Sequence, residues 1–543
     1  MILKITRNDT STNEKYICQY VTSVLSCSYE NDKIFVAFIG KIHHSESEKN
    51  NAAFFYKMVE EYPDTISEKI DGYYGVVLLN KLTGDIGVYR DPIGLQPLYY
   101  SVQEKIITFT SSFKALVGLS TNITPCKEFF LLYLEEVVPN TYELTIYEGL
   151  KRVKPNTLTL FQNFQLVKQI SLFDFENHSS KERTNSMAIS EFQDKLEEAI
   201  NKSIKGHQKL SMQFTGGLDS TGIVAICKYL RGNQNLQTYF HEYFPDHPTF
   251  DEMYFVKKLH ETDDLPLPQK TLSHQKLSIE EEIQINKERH TLNIINQIFE
   301  HILQDVHQKQ SKLLLSGFGG DECITYNQNP YFFVNQLISF RLRIFVDSLK
   351  TYGIKRFFSY LLKTKLKYDF LKILHPNAFN NNFKYRNKPE RKLSNKVYGT
   401  KDNIAKMLQK YGVVYRIEEE KELAEQYGIT LEYPWLDLNL IKYFLSLKTN
   451  QIILKKQGRR FFKEALKKYL TSAWYFDYTK SSSVTVAEPL YKNDNTLNEE
   501  LRKNYKALPE FIKIYTFEEK ATLQSTPIKE ILLERFKKIN SFF

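Results

Sequence analysis

Two periodicities divide the chain. From residue 1 to about 170 the apolar residues come in short runs of strand length, KIFVAFIG, GYYGVVLLN, DIGVYRD, PLYYSV and KIITFTSS, separated by turn residues such as LTGD. This predicts an antiparallel, strand-rich domain over residues 1–178. The stretch SSKERTNSM, Ser179 to Met187, is polar and aperiodic, and reads as a linker. From Ala188 the spacing turns helical, with AISEFQDKLEEAINKSI as the clearest amphipathic stretch. Short apolar strands, Leu210 to Phe214, LQTYFHEYF and KLLLSGF, then alternate with helices, as in a doubly wound α/β sheet filling residues 188–543.

Length agrees with this division, since 543 residues exceed what one ordinary core holds. Charge adds little: 73 basic against 64 acidic residues is a mild excess of the kind spread over solvated faces, and does not by itself imply nucleic acid. The excess is local, however. Between Arg341 and Thr400 stand 15 Lys or Arg against 3 acids, interleaved with Phe and Tyr in runs such as RFFSYLLKTKLKY. That segment reads as an amphipathic helical insertion with a solvated basic face, or as a docking surface for an acidic or peptidic partner. Cys18, Cys27, Cys126, Cys227 and Cys323 show neither a CxxC pair nor His clustering, so they are expected reduced and buried, with no zinc site. The start, MILKITRNDTSTNEKY, breaks its apolar run within a few residues, and no later run is long enough to span a bilayer; the expectation is a cytoplasmic protein.

Candidate chemistry sits in two glycine turns. In KLSMQFTGGLDSTGIVAICKYL, a strand passes through a polar insert into a helix. Paired Gly216 and Gly217 let successive N–H groups form an anion nest at the positive end of that helix. Thr215, Ser220 and Thr221 carry hydroxyl donors around Leu218, and Asp219 can hold the Mg²⁺ that accompanies a polyphosphate. An ordinary tight turn has the same composition. About a hundred residues on, LLLSGFGGDECITY repeats the arrangement with Ser316, Gly317, Gly319, Gly320 and Asp321. Two such loops on strands of one sheet can face the same crevice and share one Mg–nucleotide.

These residues carry a resemblance. FTGGLDST resembles the pyrophosphate loop of the asparagine synthetase family, and SGFGGDE its second nucleotide motif. YPWLDLNLIKYFLSL is similar to the family's PFLD segment, and GRRFFKEALKKYL with Lys480 to its C-terminal stretch and following lysine. In the first half, DGYYGVVLLN, YRDPIGLQPLYY and TSSFKAL resemble the glutaminase domain. The resemblance implies an α+β Ntn-hydrolase-like domain followed by an α/β adenine-nucleotide α-hydrolase-like (PP-loop) synthetase domain. It also implies an ATP- and Mg²⁺-dependent ligase that forms an acyl-adenylate and passes it to an amine, with Asp219 and Asp321 on Mg²⁺ and Lys480 stabilising the oxyanion.

Departures from the family narrow this. Its glutaminases expose a cysteine as nucleophile, where this chain has Ile2; their NGE is replaced by Ile39-Gly40-Lys41, and no arginine occurs between Arg7 and Arg90. A pseudo-glutaminase is expected. Phe318 stands where asparagine synthetases carry Glu and β-lactam synthetases Tyr, and it cannot move a proton. The amine is therefore expected from the substrate itself, as in the lasso-peptide macrolactam synthetases, which close a precursor (core) peptide's N-terminal amine onto an Asp or Glu side chain. Such an enzyme would work with a leader-binding protein and a leader peptidase. A β-lactam synthetase-like ligase, an ammonia-dependent asparagine synthetase and an RNA-modifying PP-loop enzyme are the alternatives; the last generally needs cysteines that this spacing does not offer.

Overall fold

A computed structural model describes residues 1–7, 16–22, 25–43, 50–135, 143–175, 182–242, 252–273, 279–292, 297–325, 383–385, 404, 408, 411–452, 459–477, 499–500, 503–504, 507, 515–517 and 535–543. Among the described residues, eleven strands precede residue 175: β1 (Ile2–Arg7), β2 (Tyr16–Val21), β3 (Ser26–Glu30), β4 (Ile34–Ile42), β5 (Gly72–Asn80), β6 (Ile86–Arg90), β7 (Tyr99–Gln103), β8 (Ile106–Thr110), β9 (Leu150–Arg152), β10 (Thr157–Gln162) and β11 (Gln165–Ser171). They form two antiparallel sheets, ordered β2-β1-β8-β7-β9 and β11-β10-β6-β5-β4-β3. Leu3, Ile5, Phe35, Ala37, Val77, Val88, Ile107 and Phe109 fill the space between them.

Each outer face is covered in turn. Helix Asn51–Glu61 lays Phe54 and Phe55 over Val36, Phe38, Tyr74 and Val76 of the second sheet. Helices Phe113–Leu119 and Lys127–Glu135, with Phe536 and Ile539 from the end of the chain, cover Tyr99 on the first. Because β4 and β5 are buried on both faces, their sequences read as continuous apolar runs and do not alternate. The result is a four-layer αββα stack.

Beyond it, β12 (Leu210–Gln213), β13 (Leu236–Glu242), β14 (Pro268–Ser273), β15 (Leu313–Leu315) and β17 (Thr430–Glu432) form a parallel sheet in the order β14-β13-β12-β15-β17. A short antiparallel pair, β16 (Phe383–Tyr385) with β18 (Tyr515–Phe517), stands apart. Helices on both sides bury the parallel sheet. The foremost, Asn185–Ile204, presents Ala188, Phe192, Leu196, Ala199 and Ile200 at helical spacing to the core. It begins within the expected linker, because the Thr184 hydroxyl caps it by accepting from the Met187 N–H at 3.2 Å.

The chain leaves β12 toward β14 on one side, then returns to β15 on the other. The loops after β12 and β15 thus diverge, and a crevice opens between the carboxyl ends of those two strands. Three cysteines are buried and Cys18 and Cys27 only half-buried, all as free thiols. Among the described residues no helix is long and apolar enough to cross a membrane.

Candidate functional site

The crevice is a cleft of about 360 Å³ lined by both glycine loops: Gln213, Thr215, Gly217 to Ser220 from the first, Ser316 to Gly319, Asp321 and Glu322 from the second, with Arg416 and Arg459 closing the sides. Gly216 holds φ at +70°, which turns the chain from strand to helix where an L side chain would be strained. Gly217 then caps helix Leu218–Arg231 and, being glycine, gives the helix's first N–H groups no side-chain hydrogen bond.

The hydroxyls of this loop have distinct duties. Ser220 Oγ donates to the Gly217 carbonyl at 3.2 Å and accepts from the Thr215 N–H at 3.1 Å, bracing the turn. Thr221 is fully buried behind the loop and does not line the cleft. Tyr475 reaches in from below and donates to the Gly216 carbonyl at 3.1 Å. On the second loop Ser316 Oγ donates to Gln213 Oε1 at 2.9 Å and accepts from the Phe318 N–H at 3.3 Å, tying the two loops together.

Their glycines are required by contact. A Cβ on Gly317 would lie 2.9 Å from the Ser220 nitrogen, and one on Gly320 would lie 2.6 Å from the Asp219 carboxylate. The second turn therefore packs directly onto the first, and brings Asp219 and Asp321 to one place. Burial, then the Asp321 charge, pushes the Asp219 carboxyl up to about 7. The Glu322 carboxyl is raised by the same two causes. Three crowded acids are costly without a cation. Asp321 has one in Arg459, whose guanidinium pairs with it while its backbone takes the left-handed φ of +64°.

Asp219 Oδ1 is enclosed and has no hydrogen-bond partner among the described residues. This orphaned oxygen beside a second carboxylate fits a hard divalent cation completed by phosphate oxygens, as Mg²⁺ prefers. Phe318 occupies the far wall, edge-on to Tyr433 at 5.9 Å and beneath the Arg416 guanidinium at 4.1 Å. Arg416 is itself held by Glu420 at 2.7 Å.

Sequence reading had not placed Arg459 or Arg416 in the site. Arg459 belongs to the GRRFFKEALKKYL stretch, but its neighbour Asp321 is distant in sequence, so only the fold pairs them. Lys480 lies outside the described residues, as does Arg341 to Thr400 save the backbone of Phe383–Tyr385.

In the first domain Ile2 is the first residue of β1, paired opposite Val21 and Thr110, and Cys18 lies opposite Ile5. Lys41 Nζ is directed across to the second domain, 3.0 Å from the Lys202 carbonyl and 3.3 Å from Glu432 Oε1.

Two family models match the chain. The model of the glutamine amidotransferase domain matches residues 41–170, and that of asparagine synthase matches residues 191–525. A probable glutamine-hydrolysing asparagine synthetase of Acanthamoeba polyphaga mimivirus is 28% identical over 31% of this chain and 29% of its own length. A putative asparagine synthetase of Methanocaldococcus jannaschii is 24% identical over 35% of this chain and 32% of its own, and asparagine synthetase 1 of Bacillus subtilis 22% identical over 37% and 34%. The matched stretch spans about a third of the length of these curated relatives. Since the asparagine synthase match covers well over half of the residues, with both glycine loops inside it, the chain belongs to the asparagine synthase family.

Proposed function

We propose that the chain is an ATP-dependent, AMP-forming amide ligase whose client is a peptide that it closes into a macrolactam. The observation that carries the ligase reading is the cleft at the switch point, where two glycine loops bring Asp219 and Asp321 beside an uncapped helix terminus. Nucleotide phosphates would meet there the N-terminal end of helix Leu218–Arg231, and Arg459 is placed to neutralise charge growing on pyrophosphate. Mg²⁺ on Asp219 and Asp321 would supply charge neutralisation along the polyphosphate.

In the proposed reaction a carboxylate oxygen bonds to the α-phosphorus and the bond to pyrophosphate breaks. The amine then bonds to the acyl carbon, AMP leaves with one carboxylate oxygen, and the amine gives up its proton. The client thereby loses one water. Phe318 offers no acid or base to an incoming ammonia, and Lys41 fills, in the first domain, the position expected to help hold glutamine; both support an amine carried by the substrate itself. A precursor peptide with a free N-terminus and an Asp or Glu side chain meets that need, delivered by a leader-binding protein and a leader peptidase.

The test is ATP–pyrophosphate exchange with candidate peptides, products being read by mass. Dehydrated peptide is expected. Asparagine made from aspartate and ammonia, with no dehydrated peptide, would overturn the peptide client while leaving the ligase. Asp219→Ala or Asp321→Ala should lower exchange by about 10²-fold or more, as removal of other charge-stabilising contacts does; exchange near the wild-type rate would refute their role.

A further inference from the structure

One segment touches both glycine loops and the first domain at once. Glu432 ends β17, and the five residues after it run Tyr433-Pro434-Trp435-Leu436-Asp437. On its cleft side, the Glu432 carbonyl accepts from the Ser316 N–H at 3.0 Å. The Trp435 indole N–H donates to the Asp219 carbonyl at 3.1 Å, and Leu436 fills the space a Cβ on Gly319 would need. Tyr433 meets the edge of Phe318.

Its other side is tied to the first domain at both ends. Glu432 Oε1 is reached by Lys41 Nζ at 3.3 Å and by the Tyr73 hydroxyl at 3.1 Å. Asp437 shares Lys202 Nζ with Asp71 of the first domain, each at 3.0 Å. The second-domain members are the more buried: Glu432 exposes 8% of its side chain against 21% for Lys41, and Lys202 12% and Asp437 14% against 29% for Asp71.

We propose that Lys41 is a positioning residue for the nucleotide cleft, acting through Glu432 and the strap Glu432 to Asp437. The first domain, having no use for glutamine, would instead fix the spacing of the two loops that hold Mg·ATP. Where sub-ångström placement matters, a strap gripping both loops transmits the loss of one anchor, while an unrelated defect in the first domain does not. The inference rests on the ATP reading above.

Titration calorimetry of Mg·ATP into the full chain tests it, using wild type, Lys41→Met, Lys41→Arg, Glu432→Gln, the double variant Lys41→Met/Glu432→Gln and Val77→Ala. Val77→Ala leaves a cavity between the sheets of the first domain, away from the strap. Lys41→Met is expected to weaken binding about tenfold, within the usual range for coupled sites, and Lys41→Arg to restore it to within about threefold of wild type. The double variant should bind no more weakly than Glu432→Gln alone, since both remove one link. Trp435 fluorescence, isolated by Trp474→Phe, should shift in Lys41→Met.

If wild type fails to bind Mg·ATP, the ATP reading falls and the inference with it. If wild type binds and Lys41→Met binds equally well, the inference alone falls. It also falls if Val77→Ala weakens binding as much as Lys41→Met does, because general loosening then accounts for the effect.

Discussion

Gly320→Ala isolates the contact between the two loops. Gly320 is outside the positive-φ region, so alanine fits its backbone, and the whole perturbation falls on what a methyl would strike. That is the Asp219 carboxyl: Cγ and Oδ1 both lie 2.6 Å from the new Cβ, where ordinary contact begins at 3.4 Å. Asp219 must therefore retreat by about 0.8 Å, which is on the scale where misplacing a reacting group costs about 10²-fold. The added methyl should also cost about 1–3 kcal/mol of stability, as overpacking does elsewhere. Pyrophosphate exchange measured against Mg²⁺ concentration reads the first effect, and thermal unfolding the second. Gly118→Ala is the control. Nothing lies within 4 Å of its new Cβ, so it should leave exchange unchanged and stabilise helix Phe113–Leu119 by about 0.5–1 kcal/mol. Wild-type exchange at wild-type Mg²⁺ demand in Gly320→Ala would refute the claim that the second turn positions Asp219.

Other consequences concern the contacts between the two halves. Glu418 lies buried between Arg90 at 2.8 Å and Arg152 at 2.7 Å, so Glu418→Ala should cost about 3–5 kcal/mol in denaturant unfolding by removing the carboxylate that these two buried cations share; a cost under about 1 kcal/mol would contradict this. His43 is pushed down to about 4, first by burial and then by Lys41. Its folded pKa being the lower, the unfolded chain takes up the proton first, and stability is lost as pH falls from about 6.5 to about 4, by up to about 3 kcal/mol. His43→Gln should flatten that part of the curve of melting temperature against pH; an unchanged slope would place the acid sensitivity elsewhere. The first domain should release no glutamate from glutamine, and release blocked by thiol alkylation would restore it as a glutaminase.

Strands were the most legible part of the sequence. The run GYYGVVLLN is β5 residue for residue, and KIFVAFIG lies within β4 but for its first residue. The covering helices were not read, because NAAFFYKMV of helix Asn51–Glu61 shows an apolar face only once a sheet is known to lie beneath it. The two glycine loops were legible as motifs, since strand, small residues and acid are local signals. Which hydroxyl braces and which faces the cleft was not, as the Ser220 hydroxyl bond to the Gly217 carbonyl and the burial of Thr221 depend on how the turn closes. Arg459, Trp435 and Glu432 act through neighbours far away in sequence, and no periodicity announces such pairs.

The central claim, carboxylate activation on ATP in the cleft of Asp219 and Asp321, is tested most directly by following oxygen. Peptides with a free N-terminal amine and an ¹⁸O-labelled Asp or Glu side chain are incubated with the enzyme, Mg²⁺ and ATP, and the nucleotide products are read by mass. An acyl-adenylate route predicts one labelled oxygen in each AMP, pyrophosphate free of label, and dehydrated peptide in equal amount. Label in inorganic phosphate with ADP as the partner product, or AMP free of label, would contradict it.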